Sequence, residues 1–75
     1  MTAVDVCFRL GTMPDEAAMR GIDRLWEVYG IRRIQLDEAD QSVRVEFDST
    51  RFTDAMVASL LRRAGVDVRE KLVLA

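Results

Sequence analysis

The chain has no histidine, a single cysteine (Cys7) and a single proline (Pro14) in 75 residues. Without histidine it lacks the side chain most often used for proton transfer near neutral pH, which is also the commonest metal ligand. A lone cysteine excludes an intramolecular disulfide and any pair of thiolates, and it suits a reducing cytosolic or matrix compartment, of which a cytoplasmic one is the expectation. A glycine-rich phosphate loop is missing as well, so most nucleophile and base combinations are out of reach and an enzyme is not expected. No apolar run approaches the roughly 18 residues of a membrane span, and the first residues do not read as a basic segment followed by an apolar core. Neither anchor nor signal is therefore expected. Charge of one sign is not in excess either: 11 basic and 13 acidic residues leave a net charge of −2, with the signs interspersed. That balance argues against a nucleic-acid footprint and against a basic membrane surface. The length suits one domain over residues 1–75, of a size that buries only roughly 60% of the surface its unfolded chain exposes.

What is present is alternation. From Gly30 to Asp48 the chain reads GIRRIQLDEADQSVRVEFD, two runs of period two joined by an acidic turn, which predicts a β-hairpin. Ile34, Leu36, Val43, Val45 and Phe47 share its apolar face, and Arg33, Gln35, Arg44 and Glu46 the other. Upstream, Val4, Val6, Phe8 and Leu10 alternate with Asp5, Cys7 and Arg9, which predicts a half-buried strand with Cys7 on the polar face. Thr12-Met13-Pro14-Asp15 then reads as a helix start, a hydroxyl three residues before a carboxylate with proline in the first turn. Met19, Ile22, Leu25, Trp26 and Tyr29 follow at helical spacing, and Gly30 is placed to cap the helix. After the hairpin, Thr53 is the expected N-cap of a second helix with Val57, Leu60, Leu61 and Ala64 on its apolar stripe and Gly65 at its end. Val66 and Val68 open a last strand, which an expected bulge near Glu70 connects to the apolar end Leu72-Val73-Leu74. The order βαββαβ, with right-handed crossovers, predicts an α+β ferredoxin-like sandwich: a four-stranded antiparallel sheet with two helices on one face.

Gly30-Ile31, Ile34, Leu36, Val43, Val45, Phe47-Asp48, Thr53 and Ala64-Gly65 resemble the framework of heavy-metal-associated domains, found in copper chaperones and at the N-termini of metal-transporting P-type ATPases. The resemblance implies a metal-binding loop after the first strand, where the family carries Gly-Met-Thr-Cys-x-x-Cys and binds a soft ion through two thiolates. Matching strand phase, with Met13 in the place of the loop methionine, sets the two cysteine positions at Asp15 and Ala18. Counting from Gly11 to Gly30 sets them instead at Pro14 and Ala17. Both registers leave the pair without a thiol, and the first is preferred because it puts Ile22 and Trp26 on core-facing positions.

Other residues could carry chemistry, each with a structural counterpart. Met13 offers a thioether but fits core packing better. Cys7 is remote from the loop and lacks an assisting group. Asp37, Glu38 and Asp40 have neither the glycine nor the spacing of a calcium loop and suit a solvated turn. Asp15 and Glu16 fit the positive end of a helix dipole. The open sheet face presents no aromatic on which a base could stack, which argues against RNA binding. The expectation is a non-enzymatic binding module without a cofactor, whose partner is another protein or a second copy. The alternative is a copper or zinc carrier of reduced affinity using Met13, Cys7 or partner-supplied ligands. By topology the sheet edges are the strands of Ile34 and Val68, the first guarded by Arg32 and Arg33, the second adhesive through Leu72-Val73-Leu74.

Overall fold

The computed structural model describes residues 2–72. Six elements follow in the expected order: β1 (Ala3–Leu10), α1 (Glu16–Leu25), β2 (Ile31–Asp37), β3 (Ser42–Asp48), α2 (Asp54–Arg63) and β4 (Val68–Leu72). The strands form one antiparallel sheet in the order β2-β3-β1-β4, so β2 and β4 are its edges. The fold is the ferredoxin-like α+β sandwich. Val6, Phe8, Leu10, Val43, Val45 and Phe47 from the sheet form one apolar cluster with Ile22 and Leu25 of α1 and Val57 and Leu61 of α2.

The hairpin pairs as its alternation dictates, Ile34 opposite Val45 and Leu36 opposite Val43. One residue departs from the period. Ile31 pairs with Phe47 and Arg33 with Glu46, leaving Arg32 as an extra residue in a bulge, which lets Ile31 join Ile34 on the buried face. A bulge also lies where the sequence places one near Glu70: Phe8 pairs with Lys71 but Leu10 with Val68, two steps along β1 against three along β4. Val66 is buried but precedes β4. Val73 and Leu74, expected to prolong this strand, fall outside the described residues.

The first helix departs most from expectation. Its N-cap is Asp15, not Thr12, and Pro14 lies ahead of the cap rather than in the first turn. The Asp15 carboxylate accepts the Ala18 N–H at 2.8 Å, satisfying a donor that the helix itself leaves open. The buried stripe is Ala18, Ile22 and Leu25; Met19, Trp26 and Tyr29, expected on it, are exposed. The helix ends at Leu25, where Glu27 N–H donates to Arg24 C=O and Val28 N–H to Leu25 C=O. These tighter bonds advance the phase beyond Trp26, so Val28 packs on the core while Tyr29 turns to solvent. Gly30, at φ +105°, therefore ends this turn rather than the helix, and its carbonyl accepts the Asp48 N–H.

α2 keeps its expected cap, Thr53 Oγ1 accepting the Met56 N–H, and Gly65 follows it at φ +101°. Val57 and Leu61 are buried as expected, Ala58 joins them, and Leu60 and Ala64 are half-buried.

Candidate functional site

The segment between β1 and α1 brings together the residues that sequence matching singles out. Met13 is half-buried against the helix-side core. Asp15 is exposed and Ala18 is only 2% exposed, so a side chain at 15 looks outward while one at 18 looks inward. Gly65, just after α2, lies against Ala18; a methyl group added at Gly65 would stand 3.5 Å from it. The end of α2 thus forms the wall behind the start of α1. In the competing register, Pro14 is half-buried and Ala17 exposed.

Cys7 does not join this group. It points to the sheet face opposite the helices, with Arg44 of β3 and Leu72 of β4 as its cross-strand neighbours. The expected face is right, but the expected exposure is not: Cys7 is 8% exposed, because a central strand is covered by the longer side chains on either side. It lies at the floor of a depression of about 800 Å³ that also takes in Arg9, Gln35, Arg44 and the acidic hairpin turn.

Several of the acidic residues have local partners. Asp37 accepts the Asp40 N–H at 3.2 Å within the hairpin turn. Glu16 pairs with Arg20 one helical turn on, at 2.7 Å. Among the described residues no group of three or more Cys, Asp or Glu side chains is placed to hold a metal ion. Asp48 is buried at the end of β3, where its carboxylate accepts both Thr50 Oγ1–H at 2.7 Å and Thr50 N–H at 3.0 Å. Those two bonds hold its pKa below the usual carboxylate range, the hydroxyl contributing most.

Exposed apolar side chains are the feature that sequence patterning misses. Trp26 and Tyr29 flank a depression of about 550 Å³ whose other side is formed by Arg32, Arg33 and Glu46. Arg51 covers the Tyr29 ring, 3.9 Å above its centre. No local signal separates these aromatics from core residues, since their spacing from Ile22 suits a helix stripe.

No family model matches the sequence, and none of the curated proteins matches it. Solved structures do. The apo form of CopP from Helicobacter pylori aligns with a TM-score of 0.71 and 24% identity, covering 88% of this chain and all of that one. The N-terminal domain of a potential copper-translocating P-type ATPase from Bacillus subtilis, in its Cu(I)-loaded state, aligns with a TM-score of 0.70 and 16% identity, covering 97% and 95%. The fold is heavy-metal-associated-like. The Atx1-Cu(I)-Ccc2a complex also aligns, with a TM-score of 0.69 and 16% identity over 88% of this chain and 92% of the matched one. At these identities the likeness concerns the fold, and residue roles have to come from this chain's own geometry. No helix among the described residues is long and apolar enough to cross a membrane.

Proposed function

We propose that this chain is a non-enzymatic interaction module: a cytoplasmic heavy-metal-associated-type fold that has lost the thiolate metal site and binds a protein partner or a second copy through its sheet. The positions we match to the family's metal site are Met13, Asp15 and Ala18. The observation that carries the reading is the bond from Ala18 N–H to the Asp15 carboxylate. A helix N-terminus attracts anionic ligands such as thiolates, and here its own side-chain carboxylate takes that role, while Ala18 supplies only a methyl group. The complex of Atx1 with Ccc2a supports a protein partner for a fold of this kind.

Titration with copper(I) and with zinc under reducing conditions, against a competing chelator, tests it. No stoichiometric binding is expected, because one thiol and one thioether on opposite faces of the sheet do not form the paired soft ligands such ions take. A one-to-one complex that survives the chelator overturns the reading in favour of a weak metal carrier.

A further inference from the structure

We propose that β2 is a self-complementary edge through which two copies of this chain join their sheets into one. The proposal rests on reading the chain as an interaction module and names its partner.

The free backbone groups of β2 follow from its pairing. Leu10 N–H donates to the Gln41 carbonyl, so Gln41 faces β1, and alternation along β3 turns Ser42, Arg44 and Glu46 towards β2. Their partners Asp37, Gln35 and Arg33 are therefore bonded inward. The N–H and C=O groups of Ile34 and Leu36 point out from the edge. An antiparallel two-fold pairing must match outward residues with outward residues, which limits its centre to Ile34, Gln35 or Leu36.

Charge selects among these. The stretch from Arg32 to Glu38 reads RRIQLDE, basic at one end and acidic at the other, with Gln35 in the middle. Centred on Gln35, Ile34 of each copy exchanges hydrogen bonds with Leu36 of the other. Arg33 then lies opposite Asp37 in the closer, non-hydrogen-bonded pairs. Centring on Ile34 places Arg33 against Gln35, and centring on Leu36 places Asp37 against Gln35, so neither pairs opposite charges. Arg33 and Asp37 are exposed, and Leu36 is half-buried on the helix side, where Ile34 of the second copy would cover it. Arg33, which read alone guards the edge, becomes one half of an ion pair repeated by symmetry.

The described part of the other edge is partly occupied. β4 is bulged, Arg62 donates to its Val68 carbonyl at 3.4 Å, and Lys71 is paired with Asp54 of α2.

Sedimentation of the full chain over rising concentration, up to about 1 mM, is compared with Arg33→Asp, Asp37→Arg and their equimolar mixture. An edge pairing of this size belongs to the weak, transient class. The parent is expected to dimerise, each variant to associate about tenfold more weakly or less, and the mixture to recover a heterodimer, since its two copies again present opposite charges. Amide exchange at Ile34 and Leu36 is expected to slow as the parent is concentrated, a readout that needs no variant to fold. A parent monomeric at 1 mM, a dimer indifferent to both variants, or concentration-independent exchange at these two amides overturns the proposal. Loss of the dimer would leave the copper result standing, and copper binding would leave the dimer standing.

Discussion

Asp48 shows how one side chain secures a corner of this fold. Its backbone N–H bonds Gly30, its carbonyl accepts the N–H groups of Arg51 and Phe52, and its carboxylate takes both donors of Thr50. The charged form is the one these bonds favour, so the folded pKa lies below the unfolded one. The stability it contributes is present above the unfolded pKa and is lost as pH falls through the depressed folded value. Thr50→Val removes the hydroxyl, the larger cause of the shift. The variant is expected to be less stable than the parent at neutral pH, and the gap in urea midpoint is expected to narrow as the pH drops below the usual carboxylate range. A gap that stays constant down to pH 2 would show that Thr50 stabilises the turn without regard to charge. Cys7 teaches a different lesson at this scale. Its face is legible from strand phase, whereas its burial depends on Arg44 and Leu72, which lie far away in sequence and meet it only once the sheet is assembled.

The two helices touch where α1 carries Gly21. A methyl group added there would stand 2.3 Å from the Ala64 carbonyl oxygen and 2.9 Å from its Cα, so backbone and not a flexible side chain blocks it. Helix propensity alone predicts that Gly21→Ala stabilises an exposed helix by up to about 1 kcal/mol. Close approach is expected to reverse the sign, with a net loss of about 1–3 kcal/mol as the helices are forced apart. Denaturant melts decide it, and a stabilised variant would mean that α1 and α2 separate without cost. The same element explains why some residues were legible and others not. Thr53 and Gly65 are read correctly, whereas at α1 the cap expected at Thr12 falls on Asp15. Tyr29 is misread because α1 ends in a tighter turn, which moves later side chains to another face, and Met19 and Trp26 because the buried stripe is the narrower Ala18, Ile22 and Leu25. The hairpin is read correctly because its period of two is set by each strand itself, apart from Arg32, whose bulge leaves no mark in the alternation.

At the scale of the whole molecule, the sandwich brings the start of α1 against the end of α2, and this closing contact bears on the two proposed registers, although Trp26, one ground for preferring the first, is exposed. Ala18 faces Gly65 and donates its N–H to residue 15, so positions 15 and 18 share the helix N-terminus, whereas Ala17 looks to solvent. If these positions match the family's pair, Asp15→Cys with Ala18→Cys should place one thiolate where the Ala18 N–H can meet it. The second, at the inward-facing position 18, would sit in the same first turn against Gly65, where the helix dipole lowers thiol pKa. The double variant gives up the cap, at a cost of about 0.5–2 kcal/mol, so circular dichroism has to show that it still folds. Competition with a copper(I) chelator is then expected to give tight one-to-one binding, against none in the parent. Pro14→Cys with Ala17→Cys is expected to bind weakly or not at all, because the outward Ala17 position leaves the helix N-terminus unused. Binding in the second variant alone would reverse the register. Binding in neither would mean that the loop between β1 and α1 does not have the geometry of a two-thiolate metal site, and that positions 15 and 18 do not correspond to the family's cysteine pair.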